Sequence, residues 1–210
     1  MIKKNLKLLM ITSVAILLPI LVGVILWDRL PEQIPSHWNA AGEVDGWSKK
    51  PFAVFGMPLI LLAAHWFTAL VTVADPKKQN HSDKILQMIF WIIPLLNLVI
   101  SAATYTAAMG GAVRMEVLAT VFCGLLFVAI GNYLPKCRQN YTIGIKIPWT
   151  LASEENWNRT HRLAGWIWML GGVCVMAAGF FGFFWLMIAA TSAMVLIPFI
   201  YSYALHQKGI

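Results

Sequence analysis

Acidic residues are scarce in this chain. Nine Asp and Glu stand against sixteen Lys and Arg in 210 residues, and charged residues of both signs make up only 12%. A soluble domain carries roughly twice that share of charge, so a separate soluble domain is excluded. No carboxylate lies deep in an apolar run. Glu116, at the end of one, comes nearest, and a proton relay through a membrane needs buried carboxylates. Ion-coupled transport therefore finds no support. Cysteine is sparse as well: Cys123 and Cys174 fall inside apolar runs, and Cys137 stands alone in a basic stretch. Their separations match neither a disulfide framework nor a metal site. Internal repeats are missing too. The polar stretches 28–50 and 135–162 differ in sequence, which removes the inverted-repeat signature of many secondary transporters.

What is abundant is hydrocarbon. The chain is 59% hydrophobic, with a mean hydropathy of +0.69. Apolar runs fall at about 6–27, 52–73, 85–109, 115–134, 163–181 and 184–205. About twenty residues of helix cross the hydrocarbon of a bilayer, so six transmembrane helices are predicted. The last two runs form one uncharged stretch from Leu163 to Leu205 and must fold back, with the turn near Gly179 to Gly182. The first run follows Lys3, Lys4 and Lys7 but is longer than a signal core and lacks a small-residue cleavage site after it, so it reads as a retained helix. The fold class is an all-α integral membrane protein.

Basic residues set the orientation. Lys3, Lys4, Lys7, Lys77, Lys78, Lys84, Lys136, Arg138, Lys146, Arg159, Arg162 and Lys208 share one side, and only Arg29, Lys49, Lys50 and Arg114 fall on the other. The positive-inside rule makes the first side cytoplasmic, with both termini there. The same placement suits anionic lipid rather than a nucleic-acid duplex, so membrane lipids are expected contacts and direct nucleic-acid binding is not. The chain divides into 1–75, two helices with the outer loop 28–50, and 76–210, four helices with the cytoplasmic loop 132–165.

The outer loop reads DRLPEQIPSHWNAAGEVDGWSKK. Pro31 and Pro35 bar a continuous helix and favour extended backbone before them. Asp45-Gly46 fits a tight reversal, and Trp38 and Trp47 suit the membrane interface. His37 invites a catalytic or zinc reading. A hydrolase needs a nucleophile beside its base and zinc needs three or four ligands, whereas this loop offers one His and the carboxylates Asp28, Glu32, Glu43 and Asp45. No catalytic residue, metal or cofactor is assigned.

The inner loop is the more informative. Pro135 and Lys136-Cys137-Arg138 close the fourth span. From Tyr141 to Trp149 the residues Ile143, Ile145 and Ile147 alternate with Thr142, Gly144 and Lys146, a period of two that predicts a short extended piece. Ser153 is a candidate N-cap with Glu154 and Glu155 in the following turn. Trp157, His161, Gly165 and Trp168 then recur at helical spacing, so one helix is predicted from Glu154 into the fifth span. The loop reads as a sealing, surface-lying segment. It also reads as a docking surface in which Asn140, Lys146, Trp149, Asn158, Arg159, His161 and Arg162 meet a cytoplasmic partner.

Two motifs carry a family resemblance. LPEQIPSHWNAAGEVDGW resembles the Pro-x-x-Ile-Pro-x-His-Trp-Asn-x-x-Gly-x-x-Asp pattern of a small bacterial membrane domain of unknown function, and GNYLPKCRQNYTIGIKIPWTLASEENWNRTHRLAG is similar to the signature of the SdpI family. The resemblance implies a multi-pass protein of the bacterial cytoplasmic membrane that gives immunity to a secreted sporulation-delaying peptide toxin. It also implies a signalling role, in which the toxin-occupied protein holds a small DNA-binding repressor at the membrane. On this footing Pro35, His37, Trp38, Asn39, Gly42 and Asp45 are expected to contact the toxin at the outer face. Asn140, Gly144, Lys146, Pro148, Trp149, Trp157, Arg159, His161 and Arg162 are expected to contact the cytoplasmic partner. A membrane enzyme or transporter acting on a lipid-linked or small substrate is the alternative. Within the spans, His65 and Asn97 are expected to face the bundle interior and hydrogen-bond between helices.

Overall fold

The computed structural model describes residues 2–39 and 41–210. Seven α-helices and one β-hairpin are present among them: α1 (Ile2–Ile25), β1 (Gln33–Trp38), β2 (Val44–Lys49), α2 (Met57–Ala74), α3 (Asp83–Ala108), α4 (Met115–Tyr133), α5 (Pro148–Ala152), α6 (Glu154–Phe181) and α7 (Phe184–Gln207). Six of the helices are long and apolar enough to cross a membrane, α2 being lengthened by a π-helical turn at Phe52–Gly56. The chain is a multi-pass membrane protein. To the expected helices the structure adds a two-stranded antiparallel sheet.

The chain forms two compact units. One runs to Val73 and includes Leu86–Glu116; the other joins Ala74–Ile85 to Val117–Ile210. In the first, helices α1 to α3 are tied by polar groups inside the apolar layer. Asn97 Nδ2 donates to the Ile16 carbonyl at 2.8 Å, and Tyr105 Oη donates to the Pro19 carbonyl at 3.1 Å. Thr12 Oγ1 lies 2.9 Å from His65 Nε2. A buried polar group in hydrocarbon is costly unless it pairs, so these bonds fix which faces of the helices meet. His65 and Asn97 both make the interhelical bonds expected of them. Leu9, Ala69 and Phe90 form one buried cluster, its Leu9 and Phe90 beside the Thr12–His65 contact, and Leu30, Ile34, Val54 and Tyr105 form a second cluster at the hairpin.

In the second unit the long helix α6 organises its neighbours. The Ser153 side chain accepts from the Asn156 amide at 3.2 Å, with Glu154 and Glu155 in the first turn, so the helix begins where the cap predicts. It continues unbroken into the membrane and ends at Gly182, which has φ 70°. That left-handed conformation suits glycine because it has no Cβ, and the chain reverses there into α7. Against α6 lies α4, and the contact is made by glycine. A Cβ at Gly124 would sit 2.6 Å from the Gly172 carbonyl oxygen, and one at Gly131 would sit 2.8 Å from that of Gly165. Small residues let helix backbones approach closely where no aqueous hydrophobic effect drives association.

Two local expectations are corrected. Asp45-Gly46 is not the reversal of the outer loop but part of β2. The turn lies at Asn39–Glu43, where the Asn39 amide donates to Glu43 O and the Gly42 amide donates to Asn39 O. Asn39 Oδ1 also accepts from the amides of Ala41 and Glu43, so an Asx-type side-chain bond wins over the Asp-Gly pair. The 141–149 segment forms no strand either. Its amides are taken by side chains rather than by a neighbouring strand, and Pro148–Ala152 is helical.

Candidate functional site

The hairpin is held by its ladder and leaves its chemistry outside. Ile34 pairs with Ser48 and Pro35 with Trp47, then the register shifts around Ser36 so that His37 faces Gly46 and Trp38 faces Val44. Ile34 and Pro35 are buried. The Lys50 ammonium donates to the Trp27 and Leu30 carbonyls at 3.3 and 3.0 Å, and pairs with Glu32 at 2.8 Å, fixing the foot of β2. The shift brings His37 Nδ1 to 2.5 Å from Asp45 Oδ1, with the two side chains 70% and 44% exposed. Trp47 is 56% exposed. Gly42 lies against the Glu116 carboxylate, which also accepts from Arg114 Nε at 3.2 Å. Pro35, His37, Trp38, Asn39, Gly42 and Asp45 are therefore gathered on one small sheet and its turn.

The 137–153 loop is built the opposite way, from buried polar side chains that tie down its backbone. Asn140 is fully buried. Its Oδ1 accepts from the Thr142 and Ile143 amides at 2.8 and 2.6 Å, and its Nδ2 donates to the Arg138 and Ile143 carbonyls at 2.8 and 3.0 Å. Gln139 Nε2 donates to the Thr150 and Leu151 carbonyls at 2.9 and 3.0 Å. Thr150 Oγ1 lies within 3.1 Å of the Ile147 amide and bridges to the carbonyls of Ile145 and Ile147. A segment with little regular structure thus satisfies its buried backbone groups one by one.

Helix α6 closes the loop from below. Trp157, fully buried, donates its indole N–H to the Cys137 carbonyl at 2.7 Å and stacks on His161 with ring centroids 4.0 Å apart. His161 Nδ1 lies 2.8 Å from the Trp157 carbonyl, which can only accept, and Nε2 lies 2.9 Å from the Ile145 amide, which can only donate. Those two partners fix the tautomer, with the hydrogen on Nδ1. Gly144 reaches φ 118° here, and a Cβ would meet His161 Nε2 and the Trp157 ring; only glycine lets the loop cross this pair. Trp149 packs among Phe199, Tyr203 and His206, with centroids 5.3 to 5.8 Å away, and its indole N–H is buried without a partner among the described residues. Pro148 starts α5.

A second polar stretch, 74–82, is stitched onto this loop. Asp75, whose side chain is out of solvent, accepts from the Lys77 amide at 2.7 Å, the Tyr141 amide at 3.0 Å and the Thr142 hydroxyl at 2.5 Å, and His81 Nε2 lies 3.3 Å away. Asn80 Nδ2 donates to the Gln139 carbonyl at 2.7 Å, and Lys77 Nζ bonds Gln139 Oε1. Burial opposes charge on Asp75, but the bonds from Thr142, Lys77 and Tyr141 outweigh it and hold the carboxyl below its usual value. For His81 burial prevails over the pull of Asp75 and lowers its pKa, so the pair is a carboxylate beside a neutral imidazole. Burial pushes the Cys137 thiol up to about 11, which makes it an inert thiol rather than a nucleophile.

Of the inner-loop residues singled out from sequence, Asn140, Trp157 and His161 face inward. Lys146 is exposed, its ammonium donating to the Thr142 carbonyl at 2.7 Å; Arg159 is exposed and pairs with Glu155 at 2.5 Å; Arg162 is exposed. Sequence reasoning missed Asp75, Gln139 and Thr150. Asp75 carried a usable signal, since it stands directly before Pro76 at the end of a span and heads a basic loop.

The SdpI/YfhL protein family matches residues 136–202, which takes in the 137–153 loop, all of α6 and most of α7. The chain carries an SdpI/YfhL family region. A second match, to a domain of unknown function (DUF1648), covers residues 14–62 and so includes the hairpin. The immunity protein SdpI of Bacillus subtilis (strain 168) is 25% identical over 183 residues, which span 85% of this chain and 83% of that protein. No solved structure matches. The resemblance expected from the two motifs thus extends through the spans that join them, and the SdpI/YfhL region starts one residue before the buried Cys137.

Proposed function

We propose that this chain is an immunity protein of the bacterial cytoplasmic membrane, protecting its cell from a secreted antimicrobial peptide toxin. The observation that carries the reading is the 25% identity to an immunity protein across 85% of the chain. The toxin meets the hairpin at the outer face, where His37, Trp47 and Asp45 are exposed on a sheet fixed by its own ladder. Both termini and the 137–153 loop are cytoplasmic. There Lys146, Arg159 and Arg162 form the solvent-facing part of a surface that docks a repressor protein, while Asn140, Gly144, Trp157 and His161 shape it from inside. The reading is non-enzymatic.

Signalling requires that toxin favour one state of the bundle over another, because a ligand shifts an equilibrium only by its differential affinity. The test is a killing curve with the sporulation-delaying peptide toxin in a sensitive strain with and without this chain, membrane levels being checked by immunoblot. Immunity moves the curve to higher toxin. An unmoved curve with the protein inserted rejects it. Signalling adds a second readout: toxin alters protease cleavage in the 137–153 loop, and an unaltered pattern removes the coupling while leaving protection in place.

A further inference from the structure

Below the hairpin a small half-open pocket with a cavity volume of about 50 Å³ lies between the strands, the start of α2 and the last turns of α3. Its apolar wall includes Phe52, Met57 and Ile100, and its hydroxyls include Ser36, Ser48 and Thr104; no charged side chain lines it. Two features set it apart from a packing gap. Thr104 is only 9% exposed, and its hydroxyl has no hydrogen-bond partner among the described residues. Thr106, two residues on, instead donates to the Ala102 carbonyl at 2.8 Å in the ordinary helical way. The second feature is Ser36, which lies at the register shift and has no cross-strand partner. Bulges of this kind re-aim side chains and interrupt pairing.

The geometry points to this pocket as the seat of one apolar side chain of the peptide toxin, with the peptide's adjoining backbone on the Ser36, Ser48 and Thr104 hydroxyls. The inference rests on the immunity reading above and names where that toxin binds. A cavity of about 50 Å³ suits one small apolar side chain and not a whole peptide. Uncharged walls reject acidic or basic anchors, since an unpaired charge there would lose its hydration. Hydroxyls both donate and accept, which matches the alternating N–H and C=O of a peptide backbone. A lipid chain offers nothing to them. Phe52, in the pocket wall, is itself 46% exposed, which suits a peptide already at the membrane surface.

The experiment uses cells making the full chain and the synthetic sporulation-delaying peptide. Thr104→Leu fills the pocket and removes the free hydroxyl; Thr104→Ser keeps the hydroxyl. Ser48→Cys reports occupancy through its rate of labelling by a maleimide, with Ala112→Cys, outside the pocket, as the control and the unmodified chain as background. We expect Thr104→Leu to give up about tenfold in protection, equivalent to about 1.4 kcal/mol of binding, while Thr104→Ser protects like the unmodified chain. Toxin should slow labelling at Ser48→Cys and leave Ala112→Cys unchanged. If Thr104→Leu fails to reach the membrane, the labelling rates alone decide. Full protection by an inserted Thr104→Leu, or labelling at Ser48→Cys that toxin leaves unchanged, overturns the pocket while immunity stands. Equal slowing at both cysteines means general shielding and also overturns it, as does slowing by added phospholipid but not by toxin. If the unmodified chain gives no protection, the immunity reading falls and the pocket with it.

Discussion

The hairpin and the 137–153 loop solve the same problem in opposite ways. Both are polar connections that must hold a shape beside a membrane. The hairpin pairs backbone with backbone and so leaves Trp47 and the His37–Asp45 pair exposed at its surface. The inner loop pairs backbone with side chain and consumes Asn140, Gln139, Thr150, His161 and Asp75 in doing so. A polar residue in the first is available to a partner. In the second, most polar residues hold the surface that a partner would touch, while Arg138 and Lys146 of the loop and Asn158, Arg159 and Arg162 of α6 stand exposed. The difference gives the same kind of substitution two different meanings.

That contrast is broken most directly at Asn140. Asn140→Ala leaves two amides and two carbonyls of a buried turn unpaired at about 1–3 kcal/mol each before relaxation. A net loss of about 3 kcal/mol or more is expected in thermal unfolding of the detergent-purified protein, with new protease cleavage near Thr142. Gly144→Ala comes next, at about 2 kcal/mol, because φ 118° is strained for any side chain and the added Cβ disturbs the Ile145–His161 bond. An unfolding midpoint equal to the unmodified protein's would show that the crossing relaxes easily.

The Asp75–His81 pair sharpens the comparison through pH. A group whose pKa is lowered on folding stabilises above its unfolded value, and that contribution is lost as pH falls toward the folded one. For His81 the loss begins below its ordinary 6.5, and for Asp75 below its ordinary 3.8. Protease sensitivity of the 137–153 loop should therefore rise in two stages on acidification, and His81→Gln should abolish the first. Cleavage that is flat between pH 7 and 5 would refute a role for His81 in holding the stitch. The smallest effects fall on exposed pairs. His37→Ala costs at most about 1 kcal/mol and Arg159→Ala about 0.5 kcal/mol. Yet each should reduce its own binding event, toxin protection for the first and capture of the cytoplasmic partner for the second. A His37→Ala protein as protective as the original would remove His37 from the toxin surface.

The spans were legible in the sequence because hydrocarbon imposes length and composition together. The start of α6 was legible because Ser153, Glu154 and Glu155 form a local cap. The hairpin was half legible: Pro31 and Pro35 signalled extended backbone, but the reversal went to Asn39, whose side chain bonds two amides, rather than to Asp45-Gly46. The alternation of Ile143, Ile145 and Ile147 misled for a related reason. Period two describes a chain with a partner strand, and here Asn140 and His161 take the amides instead. The Asp-Pro step at the end of a span marks Asp75 locally, but its partners lie more than sixty residues away in the chain, and only the fold supplies them.

The contact between α4 and α6 has a mechanical consequence. At Gly124–Gly172 and Gly131–Gly165 the two backbones approach closely, and the side chains that crowd these contacts are Met176, Pro135, Val128 and Met169. Sliding one helix along the other would drive those side chains into main chain within a fraction of a turn, so the pair resists shear as a keyed shaft does. A piston stroke of either helix along the other is therefore opposed at both glycine contacts.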